Sequence, residues 1–173
     1  MSKLPTVAII GQANVGKSSL FNRLTRSRTA IVAREAGTTR DNVVGKVSYK
    51  RRNVDSTPSD DYSQFWLIDT AGLKTAEDEF EATIQDQIAD ASAAADVILV
   101  TVDSTAYPSD ADRQLAKKAL KSGKPVILIA NKADLKGSLS IDEFKRLGIK
   151  NIIKTSAEHS IGISELLDSI AEL

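Results

Sequence analysis

The sequence predicts an α/β protein in three layers: a six-stranded, mostly parallel sheet with one antiparallel edge strand, and about five helices around it. Three observations predict it. Short apolar runs alternate with segments whose apolar residues recur every three or four positions, an order that places helices on both faces of a parallel sheet. Val97–Val102 and Val126–Ala130 are apolar throughout, as strands covered on both faces are. Gly11–Ser18 reads Gly-Gln-Ala-Asn-Val-Gly-Lys-Ser and stands between a strand-like run and a helix-like one.

Taken in order, Thr6–Ile10 is short enough for a buried strand, and Leu20, Phe21 and Leu24 share one helical face after it. Ser27–Asp41 lacks steady periodicity and is expected to be a mobile loop. Asn42–Lys50 alternates in part, through Val44, Val47 and Tyr49, as a strand with one exposed face. Arg51–Ser63 is polar, holds Pro58 and reads as a long, flexible hairpin connection. It leads to a strand at Gln64–Asp69, and with no helix between them the two strands are expected to pair antiparallel at the sheet edge. Thr70–Thr83 is a loop running into a helix striped by Ile84, Ile88, Ala91 and Ala95. The strand at Val97–Val102 is followed by a helix over Ser109–Ser122, closed by the stop signal Gly123-Lys-Pro125. After Val126–Ala130, Ser140 and Glu143 form a capping-box pair for a short helix carrying Ile141, Phe144 and Leu147. Ile152 and Ile153 mark a short last strand, and Ile163, Leu166, Leu167 and Ile170 the final helical stripe.

A chain of 173 residues is expected to form one domain. At this size roughly 70% of the unfolded chain's surface is buried, so the core needs no staples. The 23 basic and 23 acidic residues cancel, which argues against general attraction to nucleic acid or to an acidic membrane. Cysteine is absent, which excludes disulfides and thiolate metal sites. No apolar run approaches the ~18 residues of a membrane span. Met1–Pro5 leads straight into the first strand, with no room for a signal peptide. A cytoplasmic monomer is the expectation.

Gly11–Ser18 fits the phosphate-binding pattern Gly, four residues, Gly-Lys-Ser/Thr, which chance alone gives in about one chain in two hundred of this length. Its glycines, Gly11 and Gly16, let the backbone of Asn14, Val15 and their neighbours turn N–H groups inward, an anion nest. A helix opening at Lys17 adds its positive end, next to Ser19. Lys17 reaches the β- and γ-phosphates of a nucleotide, and the Ser18 hydroxyl is suited to Mg²⁺. Four further segments each follow a strand, so all converge on the crevice where ligands bind in such sheets. Asp69-Thr70-Ala71-Gly72 offers a carboxylate for Mg²⁺ and a glycine N–H for a terminal phosphate. Asn131-Lys132-Ala133-Asp134 offers one carboxylate to the two adjacent N–H donors of a purine that carries a keto and a 2-amino group, which is guanine. The Lys132 stem covers the purine face, and Asn131 ties this loop back to the phosphate loop. Ser156-Ala157-Glu158 brings the Ala157 N–H to the keto oxygen. Gly37-Thr38-Thr39 supplies a threonine hydroxyl that completes Mg²⁺ only when a γ-phosphate is present, Thr38 and Thr39 both being candidates.

The order and content of these segments resemble the translation-factor-related small GTPases over essentially the whole chain. The resemblance implies the P-loop NTPase form of the three-layer sandwich, GTP as substrate and GTP/GDP as ligands, and it favours Thr39 over Thr38. Asn14-Val-Gly-Lys-Ser18, Gly37-Thr-Thr-Arg-Asp41 and the early phosphate loop are most similar to the first domain of a branch with two tandem GTPase domains and a KH-like domain. That branch acts in assembly of the large ribosomal subunit. The chain is therefore expected to be one GTP-binding domain, 1–173, of a longer protein that meets the ribosomal particle through its other parts. Two departures are plain. Ala13 replaces a common proline, and the Arg51–Ser63 connection is longer than the resemblance leads one to expect.

Where Ras-type enzymes place a water-orienting glutamine, this chain has Leu73, so slow hydrolysis in isolation is expected. Related enzymes with an apolar residue there often use K⁺ held by an asparagine of the phosphate loop. Asn14 matches that position, and the alternative is that Asn14 only caps the loop. The catalytic set implied is thus Lys17, Thr39, Gly72 and Asn14, with Ser18, Thr39 and Asp69 for Mg²⁺ and Asn14 for K⁺. His159, the single histidine, is expected to be exposed and without a catalytic role. Lys46, Lys50, Arg51 and Arg52 read as a solvated strand edge, with contact to RNA the sharper alternative. Competing functions are a tRNA-modification GTPase, an Era-like factor, or a nucleotide-sensing module whose hydrolysis is incidental.

Overall fold

The computed structural model describes residues 3–12, 14–25, 31–34, 41–52, 55, 58–69, 88–89, 91 and 93–173. Seven strands form one sheet: β1 (Thr6–Gly11), β2 (Ile31–Arg34), β3 (Asp41–Arg52), β4 (Pro58–Asp69), β5 (Val97–Asp103), β6 (Val126–Asn131) and β7 (Ile152–Lys154). Their order across the sheet is β2-β3-β4-β1-β5-β6-β7. β1, β4, β5, β6 and β7 run parallel, and β3 alone runs against its neighbours β2 and β4.

Successive residues of a strand point to opposite faces, so each central strand feeds two cores. Val7, Ile9, Leu99, Ile127 and Ile129 pack on one face against helix α1 (Lys17–Thr25) and helix α3 (Ile163–Ala171). Ala8, Ile10, Ile98, Val100 and Leu128 pack on the other against helix α2 (Asp110–Lys121) and a 3₁₀ helix (Ile141–Leu147). Ala91 and Ala95 join that second core, as their stripe predicts, while Ile84 lies outside the described residues. Leu20, Phe21 and Leu24 fix α1 to the sheet, each burial contributing about 1.5–3 kcal/mol. Leu166, Leu167 and Ile170 do the same for α3.

The three-layer α/β architecture is the expected one, with three corrections. β2 adds a seventh strand inside the stretch expected to be loop, and it makes β2 the edge in place of the β3–β4 pair. Only four residues long, it carries too little pattern to be seen without its partner, Asp41–Val44 of β3. The long flexible connection is also shorter than expected, because β3 and β4 continue their pairing outward to Lys50↔Tyr62 and Arg52↔Pro58, with an irregularity between. Beyond β1 these residues form a two-stranded ribbon, with no third strand among the described residues to demand apolar side chains, so polarity hid the strands. Pro58 opens β4, where no ladder N–H is lost. Finally, Ser140 does cap the short helix, but its Oγ accepts from Asp142 N at 3.2 Å and the helix is 3₁₀. Among the described residues no helix is long and apolar enough to cross a membrane.

Candidate functional site

β1 ends at Gly11, β4 at Asp69, β5 at Asp103, β6 at Asn131 and β7 at Lys154, and these strands are neighbours in one sheet. Their following loops therefore issue along one edge, the place where parallel sheets bind ligands.

At the centre lies the phosphate loop. Gly16 has φ +95°, and a Cβ there would overlap the side-chain amide of Asn131, so no other residue fits. A Cβ on Gly11 would sit 2.5 Å from the Thr101 carbonyl oxygen. α1 opens at Lys17 with no acidic residue in its first turn, leaving its positive end available to an anion. Lys17 Nζ donates to the carbonyls of Gly11 (2.5 Å) and Gln12 (3.2 Å), which holds the ammonium over the loop. Ser18 Oγ lies 3.5 Å from Asp69 Oδ2, and Asp69 is 2% exposed. Two hard oxygens from different elements thus meet beside the loop, a donor pair that fits Mg²⁺.

Asn131 joins three segments. Its Nδ2 donates to the Val15 carbonyl at 3.0 Å, and its Oδ1 accepts from Thr155 Oγ1 at 2.9 Å, all buried. The sequence assigned it that tie. Lys132 Nζ donates to the Asn14 carbonyl at 2.6 Å and lies 3.4 Å from Asp103 Oδ2. Asn14 (φ +66°) and Lys132 (φ +64°) are both left-handed, a conformation asparagine tolerates better than most residues. Asn14 therefore has a backbone reason to be asparagine. Burial raises the Asp103 carboxyl, but the hydroxyl and amide of Thr105, with Lys132, outweigh it and hold the group below the ordinary carboxylate range.

Asp134, Ala157 and Glu158 line a cavity of about 280 Å³ with Gly16, Ser19 and Lys132. Ser156 also lines it and anchors a tight loop: its backbone exchanges two hydrogen bonds with Ile161, and its Oγ accepts from His159 N at 3.2 Å. The Ala133 N–H donates to the Thr155 carbonyl at 2.9 Å, which fastens the loops after β6 and β7 together. His159 is 61% exposed, as expected, yet its Nε2 lies 3.2 Å from Asp134 Oδ2 and so it belongs to this corner. Lys46 and Lys50 are exposed on β3, beyond its pairing with β2 and toward the end of the strand away from the site, as a solvated strand edge.

Gly11, Asn14, Val15, Gly16, Lys17, Ser18, Ser19, Asp69, Asn131, Lys132, Asp134, Ser156, Ala157 and Glu158 thus lie on these converging loops. Thr39, Thr70, Ala71, Gly72 and Leu73 lie outside the described residues. Sequence reasoning missed three supporting side chains. Gln12 Nε2 donates to Ser109 Oγ and Asp112 Oδ1, both at 2.6 Å, tying the phosphate loop to the start of α2. Arg23 reaches the 157–158 backbone from α1. Asp103 backs Lys132. Only Ser109-x-x-Asp112 carried a local signal, that of a capping box.

A family model for 50S ribosome-binding GTPases matches residues 6–132. This chain belongs to that GTPase family. GTP is the substrate of the family, and the chain is a GTP hydrolase by that membership. It is 41% identical over 169 residues to GTPase Der of Porphyromonas gingivalis, a match covering 96% of this chain and 36% of that relative. The tandem-domain branch that the sequence resembles is that of Der, so the resemblance holds. The chain spans about a third of the curated relatives it matches. Among solved structures, the G domain of the T. maritima FeoB iron transporter aligns with TM-score 0.71 and 28% identity over 98% of both chains. Aquifex aeolicus Era bound to GDP and AlF4⁻ aligns with TM-score 0.69 and 30% identity, over 99% of this chain and 57% of that one.

Proposed function

We propose that this GTPase is the GTP-binding and GTP-hydrolysing switch domain of a longer cytoplasmic protein acting in large ribosomal subunit assembly. The observation that carries the nucleotide reading is Asn131, whose one buried side chain joins the phosphate loop to both base-reading loops. The ribosomal part is supported by the family's description and the likeness to GTPase Der. Such a site holds phosphates and purine in one fixed relation.

In this reading the inward N–H groups of the phosphate loop, with the positive end of α1, receive the phosphates. Lys17 exchanges its loop carbonyls for phosphate oxygens. Asp134 accepts the two guanine donors, Ala157 N–H donates to the keto oxygen, Lys132 covers the ring, and Ser156 and Glu158 shape the loop around it. Ser18 and Asp69, with Thr39, hold Mg²⁺, which when bound neutralises charge on the β- and γ-phosphate oxygens. Thr70, Ala71 and Gly72 follow Asp69 in the sequence, and the role assigned to the Gly72 N–H is donation to the terminal phosphate. With Leu73 in place of a water-orienting glutamine, hydrolysis by the domain alone is slow. Asn14 would hold K⁺, which would supply positive charge to stabilise the charge that develops during hydrolysis.

The test of base recognition is Asp134→Asn. An amide presents a donor where guanine also donates, so preference shifts from GTP toward XTP by about 10²-fold or more. Unchanged preference in competition binding would overturn the assignment. For Asn14, single-turnover hydrolysis is expected to run about 10²-fold faster in K⁺ than in Na⁺ at matched ionic strength, roughly what one preorganised electrostatic contact to a developing charge supplies. Equal rates would remove K⁺ from the mechanism.

A further inference from the structure

We propose that Arg23 is a positioning residue for guanine: it clamps the loop whose Ala157 N–H meets the keto oxygen of the base, and so sets how long nucleotide stays bound. The inference rests on the GTPase reading above and adds a residue to it.

Arg23 stands in the last turn of α1, the helix that begins at the phosphate-loop lysine. Its Nε donates to the Ala157 carbonyl at 2.6 Å and its Nη2 to the Glu158 carbonyl at 2.9 Å. A planar guanidinium presents those two N–H groups side by side, matching two successive carbonyls, whereas a lysine offers one point charge. Hydrogen bonds from a cation are roughly twice as strong as neutral ones. The clamp acts on a segment already narrowed by the Ser156–Ile161 backbone pair, with Ser160 left-handed at φ +55°. The fork of Arg23 ties that narrowed loop to α1.

Position supports the same conclusion. Arg23 lines a cavity of about 580 Å³ between α1 and the 157–164 segment. That cavity shares Ser19, Ala157 and Glu158 with the base cavity. Arg23 therefore braces the far side of the wall that guanine touches. Asp134 belongs to a different loop and is braced through Ala133 and Thr155. The two loops are joined at Ala133 and Thr155 but differ in their direct ties: the 2-amino group is read from the β6 loop, the keto oxygen from the loop that Arg23 itself holds.

That difference gives the test. Dissociation of GDP and of IDP, which keeps the keto group and lacks the 2-amino group, is followed by stopped flow for the wild-type chain, Arg23→Ala and Arg23→Lys. Arg23→Ala is expected to release both nucleotides about tenfold faster, with the GDP-to-IDP ratio unchanged, as loss of charge-assisted bonds to one loop implies. Arg23→Lys recovers part of the effect by holding one carbonyl. Wild-type rates in Arg23→Ala overturn the proposal, even where thermal unfolding of the nucleotide-free chain shows lost stability, since that is a structural tie alone. A collapse of the GDP-to-IDP ratio overturns it too, because the 2-amino contact would then depend on Arg23. A wild-type chain that binds neither nucleotide overturns the GTPase reading itself, an outcome distinct from wild-type binding with an unchanged variant.

Discussion

At the residue scale the informative positions are those where a side chain breaks its local rule. Thr101 lies in the middle of the apolar β5, 0% exposed, and its hydroxyl has no partner among the described residues. An unpaired buried hydroxyl costs about 1–3 kcal/mol, so Thr101→Val is expected to raise stability by about 1 kcal/mol. Urea unfolding checks it, and a lowered midpoint would mean the hydroxyl has a partner after all. Asn14 breaks a different rule. Its left-handed backbone explains an asparagine without any ion. The comparison of K⁺ with Na⁺ therefore decides what its side chain adds. Asp134 and His159 show the limit of reading residues singly: the sequence placed the carboxylate in the base site and the imidazole in solvent, and folding sets them 3.2 Å apart.

At the element scale, α2 is more than a packing layer. Its N-cap, Ser109, accepts from Asp112 N at 3.2 Å, while Asp112 Oδ2 accepts from Ser109 N at 3.0 Å. The same two side chains receive Gln12 from the phosphate loop. One capping box thus ends a helix and anchors a binding loop. Ser109→Ala is expected to cost about 1 kcal/mol, the usual loss of an N-cap, with the dependence on urea unchanged in slope. An unchanged midpoint would show that Gln12 and Asp112 suffice alone. The ribbon formed by β3 and β4 makes the opposite point. Its inner half, where β4 also pairs with β1 from Trp66 to Asp69, was legible because Phe65, Leu67 and Ile68 must be buried. Its outer half has no such neighbour among the described residues, so its residues carried no apolar signal and looked like loop.

At the scale of the whole molecule, the sheet order brings five strand ends to one edge, and the candidate site is what those ends carry. The layers, the central strands and the phosphate loop were legible in the sequence, as was the placing of Asp69 and Asn131–Asp134 at strand ends on the site's edge. Each rests on a local property: an apolar period, a glycine spacing, or a short set of polar side chains after a strand. Those properties are imposed on neighbouring residues by burial and backbone geometry, so they survive in the one-dimensional chain. What the tertiary structure alone decided is which distant groups meet. Arg23 holds carbonyls 134 and 135 residues away, and Gln12 meets Ser109 and Asp112, 97 and 100 residues away. β2 is a strand because Asp41–Val44 lies beside it. A backbone carbonyl is the same in every residue, so a side chain that donates to one leaves no mark at the partner's position in the sequence.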